Sequence, residues 1–280
     1  MCRLLGYVAG RATSIEEILG PEGLAEFTAL TTVHGDGWGM AWRDDDGTHT
    51  TTSPHSAAVD PEYDDLVHRR LGAAGMVHLR WATGGLPVRV ENSHPFFEGE
   101  YAFAHNGHVA PMAELEALLT PGTRARLVGD TDSERYFRFV LQCIDECGDE
   151  ATGVTEALAT LIRTFPSSSL NALLLTGRKI FAIHVNSRAD SPLRALREMF
   201  DDREEIPPRH ETDYFAMDYQ VTDDCIAIVS SGLRQPGWTP IPDDLAVMVD
   251  LETREVRELD PVAEMVDEVE ATTAEDPRRP

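Results

Sequence analysis

Short β-like runs fall into two sets along this chain, with a block of helical periodicity between them. The first set covers residues 4–9, 38–43, 76–81 and 101–105, each bounded by Gly, Asp, Asn or Pro. Residues 15–30 read as helix, and the polar stretch 44–60 reads as a hairpin followed by a loop. In the central block Pro111 opens a helix over 112–119. Thr131-Asp132-Ser133-Glu134 then carries the capping-box pattern ahead of a helix over 135–147, where Tyr136, Phe139, Val140 and Ile144 recur at helical spacing. A third helix covers 154–165. Strand character returns at 170–176 and 179–185, joined at Gly177 as a hairpin, and again at 226–230, 245–250 and 255–259. Strands, then helices, then strands predict an α+β layered domain built on antiparallel sheets. The polar, proline-bearing segment 186–224 reads as an insertion over the body with a short helix at 193–200. The expected organisation is one domain over 2–260 and an acidic, disordered tail over 261–280.

Charge narrows the function classes. Against 24 basic residues stand 49 acidic ones, a formal net charge of −25 that repels phosphate backbones and anionic membranes. Neither nucleic acid nor a membrane is an expected partner. No apolar run approaches the roughly 20 residues of a membrane span, and the first residues lack a signal-peptide core, so a cytoplasmic location is expected. Four scattered cysteines do not make a disulfide framework, and Cys143 and Cys147, one helical turn apart, read as buried thiols on one helix face. His105 and His108 flank a turn without a matching carboxylate pair, so no metal site and no cofactor are expected.

Cys2 carries the chemistry most directly. If Met1 is removed, one residue holds both a thiol and a free α-amine, a nucleophile with its own base, since an α-amine titrates near ~7.7–8.0. The plainer alternative is a small buried hydrophobe. Arg80 ends a β-like run, where a guanidinium can fork onto a carboxylate or simply form a surface ion pair. Asn106-Gly107 follows a strand and offers two oxyanion donors, or is an ordinary turn pair. The carboxylates of Asp130, Asp132 and Glu134 sit at a helix start, where acids also complement the dipole. His94, before Pro95, reads as a loop histidine tied to backbone.

Taken in order, Met1-Cys2 with Gly6, His34-Gly35-Asp36-Gly37-Trp38-Gly39, Arg80-Trp81-Ala82-Thr83, Asn92-Ser93-His94-Pro95-Phe96, His105-Asn106-Gly107 and Thr131-Asp132-Ser133-Glu134 resemble the class II glutamine amidotransferases, the N-terminal-nucleophile amidohydrolases. The resemblance covers roughly residues 2–260 and is nearest to short stand-alone members, including the γ-glutamyl hydrolase of ergothioneine synthesis. It implies a four-layer αββα sandwich of antiparallel sheets. It also implies Cys2 as nucleophile, Asn106 and Gly107 as the oxyanion hole, and Arg80, Trp81, Thr83 and Asp132 around the substrate's α-carboxylate and α-ammonium. Trp38 and Gly39 would wall the nucleophile. The implied reaction is hydrolysis of glutamine or a γ-glutamyl amide through a thioester, with ammonia passed to a separate synthase subunit or an amine released as the product. A silent glutamate-binding regulatory subunit is the rival from another class. Where relatives such as glucosamine-6-phosphate synthase carry a histidine, this chain has Gly84-Gly85, which leaves room for a bulkier amide.

Overall fold

The computed structural model describes residues 2–82, 89–234 and 236–263. The first strands are β1 (Arg3–Thr13), β2 (Trp38–Asp44), β3 (Gly47–Ser53), β4 (Gly72–Leu79), β5 (Phe96–Glu98) and β6 (Tyr101–His105). After the central helices come β7 (Ala172–Leu175), β8 (Lys179–His184), β9 (Met217–Val221) and β10 (Cys225–Ser230). The chain then adds β11 (Thr239–Pro240), β12 (Leu245–Asp250) and β13 (Val256–Leu259). Helices α1 (Ile15–Ala29), α2 (Pro61–His68), α3 (Met112–Ala117), α4 (Pro121–Arg124), α5 (Asp132–Cys147), α6 (Glu150–Thr164) and α7 (Leu193–Met199) fill the intervals.

Two sheets result, a seven-stranded one in the order β11-β9-β10-β1-β4-β2-β3 and a six-stranded one in the order β13-β12-β8-β7-β6-β5. Each described pairing within them is antiparallel. Alternation sorts the side chains into layers. Leu4 and Val8 of β1 meet Ala104, Leu173 and Ile180 between the sheets. Leu5 and Tyr7, one step out of phase, pack with Ile15 and Phe27 of α1 and Leu66 of α2 on the outer face. On the far side Phe103, Leu174 and Phe181 pack under Phe137, Val140 and Leu158 of α5 and α6. The molecule is therefore helix, sheet, sheet, helix, the four-layer sandwich that the resemblance implied. Among the described residues no helix is long and apolar enough to cross a membrane.

Local departures have local causes. Ser14 and Glu17 cap α1 reciprocally, but Gly20 at φ 72° breaks the helix and Pro21 restarts it. Residues 61–68, just beyond the polar stretch 44–60, form α2 because Asp60 caps the first turn and Pro61 occupies N1. The polar segment 186–224 is partly sheet, since Met217–Val221 pairs with β10. The acidic tail from 264 onward lies outside the described residues.

Asp60 ties these layers together. Its carboxylate accepts from the Trp38 indole N–H at 2.9 Å, the Ser53 hydroxyl at 2.6 Å and the Glu62 backbone N–H at 3.0 Å. Asp60→Ala removes a helix cap and strands a buried indole donor, which predicts a loss of about 2–4 kcal/mol. Urea denaturation checks this as a lower midpoint at unchanged m; a loss below about 1 kcal/mol would mean that the cap and the indole find other partners.

Candidate active site

Register brings the first residue of the sheet to the end of its neighbour. Leu4 pairs with His78 and Arg3 with Leu79, so Cys2 and Arg80 lie one step beyond, at the same end of β1 and β4. Cys2 shares the inward phase of Leu4, and His78 shares that of Met76, so both turn toward the space between the sheets. At that end β6 finishes at His105 and delivers Asn106 and Gly107 from the second sheet, while α5 begins at Asp132. These pieces surround a cavity of about 590 Å³, lined by Cys2, Arg80, Trp81, Gly107, His108 and Asp132 among others.

Cys2 is 6% exposed, and its backbone nitrogen donates to Asn106 Oδ1 at 2.8 Å. Burial alone would push the thiol upward. The positive charge of His78 and of the chain's amino terminus, with a hydrogen bond from the Trp81 backbone, outweighs it and brings the thiol down to about 6. With Oδ1 committed to Cys2, the buried Asn106 Nδ2 has no protein partner. Asn106 stands just behind the cavity wall and Gly107 on it. A side chain at 107 is impossible as built, because a Cβ would lie 2.0 Å from the Ser169 carbonyl oxygen and 2.6 Å from His105 Nε2. His105 is fully used in holding this corner, through Ser133 Oγ at 2.9 Å and the Ser169 carbonyl at 2.8 Å.

The two charges expected around a zwitterion both line the cavity and are both buried. Arg80 donates its backbone N–H to the Gly37 carbonyl, and its own carbonyl accepts from Asp36 N–H, each at 2.9 Å. Asp36 Oδ2 in turn accepts from Ala82 N–H at 2.8 Å, which fixes the turn after Arg80. Asp132 accepts from Val109 N–H at 2.6 Å and faces His108 Nδ1 at 3.2 Å, both through Oδ2. Burial raises the Asp132 carboxyl, but His108, His105 and the Val109 amide outweigh it and hold it below the ordinary carboxylate range. His108, with its side chain 71% exposed, is raised by the same contact.

Not every expected residue reaches the cavity. Trp38 and Gly39 do not line it: Trp38 faces α2 and packs on Tyr63 at 5.4 Å between ring centroids. Gly39 lies against the His94 backbone, where a Cβ would come within 2.1 Å of the carbonyl oxygen. Thr83 and the Gly84-Gly85 pair fall outside the described residues. The capping box is half formed, for Thr131 caps Glu134 N–H, but the Glu134 side chain accepts from Val128 and Gly129 instead. Cys143 is buried as expected, whereas Cys147 is exposed at the helix end. Sequence reading assigned no role to His78 and tied His94 to backbone. Both rings instead lie near Cys2, tilted at 46° to each other with centroids 4.4 Å apart and no protein partner on any ring nitrogen. The available signal was phase, since His78 precedes Arg80 by two residues on one strand and so shares its face.

The Asp132 pair gives a direct test. His108 should titrate above the usual value of about 6.5, and Asp132→Asn should return it toward that value. Histidine NMR titration of the two proteins checks this, and an unchanged His108 would mean that the pair does not persist in solution.

The comparisons agree with this geometry. Residues 1–222 match the sequence profile of the glutamine amidotransferases class-II. A Haemophilus influenzae protein whose name assigns it provisionally to the glutamine amidotransferases is 30% identical over 148 residues, spanning 51% of this chain and 47% of its own length. The chain thus matches less than half of that relative. The γ-glutamyl-hercynylcysteine sulfoxide hydrolase of Mycobacterium tuberculosis is 27% identical over 225 residues, 75% of this chain and 91% of that one. Among solved structures, a glutamine aminotransferase class-II domain protein from Silicibacter pomeroyi superposes with a TM-score of 0.60 at 18% identity, covering 92% of this chain and 99% of the other, a likeness of fold. Since that profile spans more than half of the chain, this chain belongs to the class II glutamine amidotransferases.

Proposed function

We propose that this chain hydrolyses the side-chain amide of a γ-glutamyl compound through a thioester on Cys2. The observation that carries the reading is one cavity holding a thiol lowered to about 6, a buried arginine and a buried aspartate. Once Met1 is removed, the Cys2 α-amine takes the thiol proton. Sγ attacks the δ-carbonyl carbon, and the oxyanion so formed accepts from Asn106 Nδ2 and the Gly107 N–H. The α-ammonium passes its proton to the leaving nitrogen, the C–N bond breaks, and ammonia or an amine departs. Water, losing its proton to the same amine, then cleaves the thioester and frees glutamate. Arg80 takes the substrate α-carboxylate and Asp132 its α-ammonium, with Trp81 beside them.

Cavity size favours γ-glutamyl amides larger than glutamine. About 590 Å³ lies within the ~300–1,000 Å³ of pockets that take drug-sized ligands. The Mycobacterium relative, matched over 91% of its length, is named for such a substrate. An alternative use, ammonia supply to a separate synthase subunit, would need only glutamine. A cytoplasmic location accords with cysteines that are all free.

Glutamate release from glutamine, a γ-glutamyl alkylamide and N-acetylglutamine separates these readings. Expected are cleavage of the alkylamide at least as efficient as that of glutamine, rejection of the N-acetylated compound, loss of turnover in Cys2→Ala, and a fall of about 10²–10³ in kcat for Asn106→Ala. A strong preference for glutamine would favour ammonia supply. Cleavage of the N-acetylated compound would remove Asp132 from its role, and inactivity on all three would leave the regulatory reading.

Asp132 also sets a pH dependence. Below its raised pKa, His108 is charged and occupies the carboxylate that the substrate ammonium needs; as pH rises through that value His108 becomes neutral and Asp132 is released. Glutamate binding to Cys2→Ala, followed by calorimetry, should therefore tighten several-fold between about pH 6 and about pH 8. In a Cys2→Ala/His108→Ala double variant the dependence should flatten; persistence of the slope would assign it to another group.

A further inference from the structure

The hydrolytic reading gives His94 no role and uses His78 only through its charge beside the thiol. Sγ of Cys2 and one ring nitrogen from each of His78 and His94 lie within 4.8 Å of one another, all three residues buried. Neither imidazole has a protein partner at Nδ1 or Nε2. A buried donor or acceptor left without a partner costs about 1–3 kcal/mol, so four orphaned nitrogens beside a thiol call for a ligand.

The donor set fits one. A thiolate with neutral imidazoles is the ligand chemistry of zinc and other borderline-soft divalent ions. Tetrahedral ligands at about 2.0–2.3 Å from the ion stand roughly 3.3–3.6 Å apart, so closure needs shifts of about an ångström in side chains whose backbones are already fixed. His78 sits in the central ladder of the seven-stranded sheet, and the His94 carbonyl is wedged against Gly39. Cys2 and His94 both reach the cavity, so a fourth position is open to water. After Met1 is removed, that position can instead be taken by the Cys2 amine, which closes a five-membered N,S chelate with its own thiolate.

We propose that Cys2, His78 and His94 form a binding site for zinc, and that the bound ion caps the nucleophile and arrests hydrolysis reversibly. The arrest rests on the hydrolytic role of Cys2 given above; the binding does not. No covalent step is involved beyond loss of the thiol proton to solvent as the metal–sulfur bond forms.

Cobalt(II) serves as the spectroscopic probe, with zinc for inhibition. Titration of metal-free wild-type protein with cobalt should give a thiolate-to-metal charge-transfer band that saturates at one equivalent, is absent in Cys2→Ala, and is bleached by zinc. The zinc concentration that halves glutamate release should rise by about tenfold or more in His94→Gln relative to that variant's own zinc-free rate, and EDTA should restore the wild type. No charge-transfer band, a band that survives Cys2→Ala, or undiminished zinc sensitivity in His94→Gln would each overturn the proposal. A cobalt band in a protein that cleaves no γ-glutamyl amide would uphold the metal site and overturn the hydrolytic reading instead.

Discussion

A single hydrogen bond, from the Cys2 backbone nitrogen to Asn106 Oδ1 at 2.8 Å, joins the two sheets at the end where chemistry is possible. Its partners are 104 residues apart and buried, so it acts in a low dielectric where an unmade bond is costly. Because the amide oxygen is committed, the amide nitrogen is held as a donor with no competing acceptor. The thiol and the donor opposite it are thereby oriented by one contact. The rest of the corner serves that contact, with the Asn106 N–H on the Asn171 carbonyl at 2.7 Å and Ser169 Oγ on the Asn106 carbonyl at 3.1 Å.

Local charge at this corner runs against the charge of the chain. A net −25 surrounds a site where the buried Arg80 guanidinium lines the cavity and the charge of His78 acts on the thiol. Screening over a Debye length of about 8 Å at physiological salt keeps the two fields separate. A γ-glutamyl amide with a neutral side chain is a zwitterion of zero net charge and meets no barrier from the outer field, whereas glutamate carries a full negative charge and is repelled once it leaves the pocket. On the hydrolytic proposal, the acidic surface would oppose rebinding of glutamate without weakening capture of a γ-glutamyl amide.

Much of the layering was legible in the sequence because alternation and helical spacing report burial directly. The strands at Trp38–Asp44 and Lys179–His184 and helix α5 stand where their periodicity put them. Cys2, Arg80, Gly107 and Asp132 were legible as residues whose types suit a zwitterionic amide, and they share a cavity. What could not be read was register. Whether His78 faces Cys2 depends on Leu4 pairing with His78 rather than a neighbour, and one residue of slip would turn it to the helical layer. Trp38 fails for the same reason, its phase sending the indole to Asp60 and away from the thiol. The strand Met217–Val221 does alternate, with Met217, Tyr219 and Val221 set against Asp218 and Gln220, but it lies at the end of a polar, proline-bearing segment whose composition masks so short a run.

That strand also explains why the segment before it cannot be a passive excursion. Ala189, Asp190 and Phe215 form part of the cavity wall, and Tyr214 and Phe215 pack with Val33 and Leu196 in a small cluster of their own that Trp81 borders. The anchor is Arg3, which is fully buried and shares no ion pair among the described residues. Its guanidinium lies 4.1 Å above the Tyr214 ring, its Nε donates to His210 Nε2 at 3.1 Å, and one Nη reaches the Tyr214 carbonyl at 3.4 Å. Burial first, and Arg3 second, depress His210 to about 2, so the ring stays neutral and can accept that bond. A buried cation held by a π-face, an imidazole and a carbonyl, with its second Nη left without a hydrogen-bond partner, is tolerated only while all three stay in place. Arg3 follows Cys2 directly, so any displacement of the segment carrying His210 and Tyr214 would strip the partners from a buried charge one residue away from Cys2, which couples the wall of the cavity to its floor.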